Sequence, residues 1–192
     1  MSKNMLFGVI AFLLIASCHD SQNNSPVNQI GAVTDDPSQI NDKLFIITEY
    51  EIGMRERALA EIIFERTTDA DVKALAKTVR EGHQLGIDKL ISIASALKIS
   101  LPDKISTAEQ AKLDIVRKMP AGEIPRFFLI HQKAIHAWDI TIFTDYANFA
   151  VNEQLKKYIQ ETQQPLRVHA EQVVQIANKK GIEGSLVTAS AE

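Results

Sequence analysis

The sequence is short of the residues on which many chemistries depend. It has a single cysteine, Cys18, so the chain can form no internal disulfide and no multi-thiolate metal site. Eight glycines and six prolines in 192 residues leave few tight turns, and no stretch alternates apolar and polar residues as a half-buried strand does. No glycine-rich phosphate loop is present, and no Ser-His-Asp order or other compact catalytic signature. Lysine and arginine are dispersed. The net charge is −3, or −4 without residues 1–17, whose only charged residue is Lys3. Phosphate backbones are bound by clustered cations, so this pattern argues against nucleic acid as a partner.

What is present begins with an address. Lys3 precedes an apolar run, Leu6 to Ile15, which is too short for a stable membrane span. Ala16 and Ser17 then lead into Cys18, and "LIASC" resembles the bacterial lipoprotein signal. The expectation is a signal peptide over residues 1–17, with Cys18 lipidated as the first residue of the mature chain and holding it to a membrane. His19, rather than an aspartate, follows the cysteine. By resemblance to enterobacterial sorting this leans to the outer membrane, with the domain facing the periplasm. Residues 18–39 are polar and proline-bearing and read as a flexible tether; residues 183–192 read as a disordered tail.

The remaining segment, residues 40–182, is the size of one domain with a full core. Its pattern is all-α. Phe45, Ile52, Leu59 and Ile63 share a face of a first helix over about 41–66, with Asn41 or Asp42 as N-cap. Val72, Ala76, Val79, Ile87, Leu90, Ala94 and Leu97 form the stripe of a second, opened by Thr68 and Asp71 as a capping box. The tight link between them predicts an antiparallel pair. Ser106 and Glu109 open a short helix inside the long 98–122 connection, which spans at most about 80 Å. It can therefore cross the length of a bundle or fold back. A third long helix covers about 123–150, with Leu129, Ile140, Phe143, Ala147 and Ala150 inward. Asn152 caps a fourth, which Gly181 ends and which contains Pro165.

Each long helix carries an ionisable residue in its apolar stripe: Glu56, His83, His136 and His169. They fall about 13–17 residues from their helix starts, so at about 1.5 Å per residue they share one depth to within roughly a turn. Convergence from facing helices is how bundles build metal sites. Three imidazoles and one carboxylate suit one zinc, copper or iron ion, with Asp139 as a further ligand or an outer partner. A metal-free polar core satisfied by internal hydrogen bonds is the alternative. Where a di-iron motif places glutamate three residues before its histidines, Arg80 and Leu166 stand here, so a two-metal oxygen-activating centre is not expected. No open coordination position or substrate cleft can be read from the sequence, and an enzyme is not the expectation. His131, about 140° round the helix from His136, is expected to face elsewhere, at the surface or behind the ligands. Burial is expected to push His83 below its ordinary range unless Glu56 is near enough to hold the charge.

"GMRE", "DADVKALAKTVREGH", "HAWDITIF" and "QPLRVH", in that order behind a lipoprotein-like signal, resemble the bacterial domain of unknown function 4142 family. The resemblance covers about residues 40–180. It implies a ferritin-like four-helix bundle, an outer-membrane or periplasmic location, and no established reaction. The family's glutamate and three histidines map to Glu56, His83, His136 and His169. The acid that the pattern places before the helix-two histidine is Gly82 here.

Overall fold

A computed structural model describes residues 37–183. Cys18, the signal-like segment, residues 18–36 of the tether and residues 184–192 of the tail lie outside the described residues. The described chain is all-α: α1 (Pro37–Arg66), α2 (Ala70–Ala96), α3 (Thr107–Lys118), α4 (Ile124–Tyr146) and α5 (Glu153–Lys179). Among these residues, no helix is long and apolar enough to cross a membrane.

The helix ends follow local chemistry, with corrections to the sequence pattern. α1 starts at Pro37, taking in the end of the expected tether, because proline's fixed φ and missing N–H suit a first turn. Asp42 therefore lies inside α1 and caps nothing there. Its carboxylate instead holds the α4–α5 link, accepting from Tyr146 Oη (2.9 Å), Asn152 N (2.8 Å) and Val151 N (3.2 Å). Asp69, not Thr68, caps α2 by accepting from Val72 N. Ser106 caps α3 and Asn152 caps α5, as the pattern predicts. Gly181 closes α5 at φ 63°, a conformation that a side chain disfavours. α4 ends at Tyr146, four residues short of Ala150, and Leu97 is an exposed C-cap outside the α2 stripe.

α1 packs along α2 and α4 along α5. α1 lies close to α2 at Gly53, where a Cβ would stand 3.1 Å from Ile87 Cγ1. The two hairpins meet mainly through α2 and α5, with sparser contacts of α4 against α1 and α2. Their apolar side chains form two separate clusters. One gathers Leu59, Ile63, Val72, Val79, Phe128, Leu129 and Val173 with Leu113 and Val116 of α3. The other gathers Phe45, Ile46, Leu90, Ala94, Phe143, Leu155 and Ile159.

The order in which the chain visits these clusters gives the topology. α1 runs from the second cluster to the first, and α2 returns. Ile99 and Leu101 pack at the second cluster, and Ile105, Leu113 and Val116 at the first, so the long connection crosses back. Arg66 secures it by donating to Val116 O and Met119 O, each at 2.7 Å. α4 thus runs in the same direction as α2, and α5 returns.

Phe128 is fully buried in the first cluster, whereas Leu85 on α2 is 66% exposed. Phe128→Ala is expected to lower stability by about 3–5 kcal/mol and Leu85→Ala by less than about 0.5 kcal/mol, measured by urea unfolding.

Candidate functional site

Between the two apolar clusters every long helix turns polar toward the interior. α1 supplies Glu49 and Glu56, α2 His83, α4 Gln132, His136 and Asp139, and α5 His169. Glu49, Glu56, Gln132, His136 and Asp139 are all buried. Leaving such groups without partners would be costly, so each oxygen and nitrogen must be accounted for.

Glu56 is wholly buried, and its partners come mostly from α4. His131 Nε2 donates to its two oxygens at 2.9 and 3.0 Å, Gln132 Nε2 donates at 3.0 Å, and Arg55 Nε at 3.1 Å. Burial would raise its pKa. The hydrogen bond from His131, with the electrostatic pull of His131, His83 and Arg55, outweighs burial and holds the carboxyl at about 2. Glu56 is therefore a carboxylate whose oxygens are already engaged. His131, expected to face elsewhere, is its chief partner. One flank of α4 faces α1 and another faces α5, so residues 140° apart on this helix are both used.

His83, His136, Asp139, His169 and Glu49 line a common cavity of about 420 Å³ with Ile52, Val79, Ile87, Leu90, Phe143 and Leu166. Glu56 stands beside this cavity rather than on its wall, close enough to perturb His83, His136 and Asp139. The sequence pattern brings the three histidines and Asp139 together here, and it misses Glu49. Glu49 lies two turns before Glu56 on α1, and that spacing was the available signal.

The rings of His136 and His169 meet edge to face, with centroids 6.0 Å apart. His136 Nδ1 donates to Gln132 O at 3.0 Å, which leaves Nε2 with its lone pair when the ring is neutral. Burial pushes all three imidazoles down. His83 falls to about 4 despite the opposing charge of Glu56. The acids move the other way. Burial and Asp139 push Glu49 up to about 8, and burial and Glu56 push Asp139 up to about 7. Within the layer, Glu49 Oε1, Gln132 Oε1 and Asp139 Oδ1 are buried without a hydrogen-bond partner.

The layer at neutral pH thus holds three neutral imidazoles, one carboxylate with its own partners, and two acids lacking a donor. Neutral imidazoles and carboxyl oxygens are donors suited to a transition metal. Among the described residues, no three His, Asp or Glu side chains already stand at metal-holding distances, so binding would require side chains to turn inward.

Folded Glu49 keeps its proton to about pH 8, while the unfolded chain releases it near 4.5. In that window the folded state binds more protons, so stability falls as pH rises. Asp139 acts alike between 3.8 and about 7. His83 acts oppositely: the unfolded chain binds its proton below 6.5 and the folded chain only below about 4, so stability rises with pH across that window. These effects oppose one another up to pH 6.5 and leave a decline from there to pH 8. Glu49→Gln is expected to remove about 1–2 kcal/mol of that decline, measured by urea unfolding at both pH values; an unchanged profile would contradict the burial of Glu49.

Compared with known proteins, the chain matches the family described as Domain of unknown function (DUF4142) over residues 29–176. No curated protein and no solved structure matches it. The matched span runs through all the residues of the polar layer, from Glu49 on α1 to His169 on α5. The chain belongs to the DUF4142 family.

Proposed function

We propose that this protein binds one transition-metal ion inside a ferritin-like four-helix bundle, in which α1, α2, α4 and α5 are the bundle helices and α3 lies in the crossover. The ligands are His83, His136, His169 and Asp139, and zinc, copper and iron are the candidate ions. The observation that carries this reading is that three burial-neutralised imidazoles from three helices line one cavity with a buried, unpartnered Asp139 oxygen. A cation there would satisfy that oxygen and would meet histidines already free of protons. Glu56 acts from behind as a fixed negative charge, locked by His131 and Gln132. It balances the ion's charge without needing to leave its partners.

The reading extends to location. The chain is a lipid-anchored envelope protein, held by Cys18 in the outer membrane with the bundle in the periplasm. A second reading is favoured by one observation: Glu56 is already satisfied by His131, Gln132 and Arg55. On that reading the layer is a metal-free polar core and the protein is a non-catalytic interaction module of the envelope.

Titration of the metal-stripped protein with zinc, copper and iron separates the two. The metal reading expects one ion per chain. His83→Ala should weaken binding by more than the roughly 10–100-fold that loss of an outer partner brings. No stoichiometric ion, or an affinity unmoved in His83→Ala, would favour the metal-free core.

A further inference from the structure

The metal reading leaves one buried group and most of the cavity unused. Glu49 is 7% exposed, and its Oε1 has no hydrogen-bond partner. It shares the cavity wall with Leu90, Phe143 and Tyr158, members of the second apolar cluster, and with Leu166, which packs on that cluster. A buried acceptor without a donor carries a standing penalty, which a donor from outside the chain would relieve.

Volume argues the same way. At about 30 Å³ per water, the 420 Å³ cavity holds roughly 14 waters, far more than one ion and its open coordination position require. It falls in the range of small-molecule sites. Its wall carries four acids, Glu49, Glu81, Asp139 and Glu161, against one lysine, Lys89, which is tied to Glu161 at 2.9 Å; an entering cation would displace the protons that burial leaves on Glu49 and Asp139. Such a wall favours cations.

Access lies along the seam between α2 and α5. α2 presents Gly82 and Gly86 to α5. A Cβ at Gly82 would stand 3.4 Å from His169 Cε1, and one at Gly86 3.5 Å from Tyr158 Oη. Larger side chains at these two positions would fill the seam. Leu85, between them, lines the cavity and is largely exposed, so the cavity reaches the surface here.

We propose that this cavity binds a small organic cation, a protonated primary amine on an apolar body, with its ammonium on Glu49 and its body against Leu90, Phe143 and Leu166. The site goes beyond the metal reading and shares its cavity without depending on it. The metal occupies the His83, His136 and His169 side, and the amine occupies the Glu49 side.

Benzylamine is the probe, titrated calorimetrically into the full-length protein, metal-free and zinc-loaded, with toluene as the uncharged control. The expected result is saturable one-to-one binding of benzylamine that exceeds binding of toluene. Glu49→Gln keeps the shape of the side chain and should weaken benzylamine about tenfold or more, the loss expected for a charge-assisted hydrogen bond. Gly86→Val should block binding while leaving Glu49 in place, with helicity by circular dichroism confirming a folded variant. Absence of saturable binding to the folded wild type, or equal binding to Glu49→Gln, would overturn the proposal. Zinc binding without benzylamine binding overturns this site alone; benzylamine binding without any metal overturns the metal reading alone.

Discussion

The structure depends on keeping one carboxylate charged where there is no water to hold it. Glu56 lies at the junction of two apolar clusters, wholly buried. An unpartnered charge in that position would cost several kcal/mol. His131, Gln132 and Arg55 meet that cost with hydrogen bonds, and two of the three come from α4. Because α1 and α4 otherwise touch sparsely, this polar tie adds a specific link between the α1–α2 and α4–α5 hairpins, which meet mainly through α2 and α5. It also sets the rotation of α4. With His131 and Gln132 turned to Glu56, His136 and Asp139 point into the cavity that His83 and His169 reach from α2 and α5.

The same desolvation organises the rest of the layer with opposite results for the two kinds of side chain. Burial strips protons from the imidazoles and leaves them on Glu49 and Asp139. Negative charge is thereby concentrated on Glu56, where hydrogen bonds and Arg55 support it. A cation entering the cavity would replace the protons on the two acids and find imidazole nitrogens free to bind it. The layer is thus balanced without a ligand and suited to receiving a positive one, which connects the metal reading with the amine site beside it.

Much of this was legible in the chain. The periods of three and four place every long helix, Ser106 and Asn152 mark two starts, and the depth match selects Glu56, His83, His136 and His169, of which the three histidines line the cavity and Glu56 stands beside it. The failures have physical causes. Asp42 had the composition of a helix cap but serves a distant link, a tertiary role that local pattern cannot express. Glu49 was hidden among the acids of α1, because Glu49, Glu51, Glu61 and Glu65 differ in burial rather than in type. A single inward stripe on α4 turns His131 away, whereas a helix packed against neighbours on two flanks has two such stripes. The direction of the long connection was open because its length allowed both routes. The clusters met by Ile99 and Ile105 decide it.

The proposed metal site lies in the polar layer between the clusters, where α2, α4 and α5 supply its ligands. The most direct measurement is an anomalous difference map from crystals of the zinc-loaded protein, collected on both sides of the zinc absorption edge. One dominant peak is expected in the cavity, coordinated by His83, His136 and His169 with Asp139 completing the set, and Glu56 still bound to His131. A peak confined to surface residues, or an empty cavity in protein exposed to excess zinc, would contradict it.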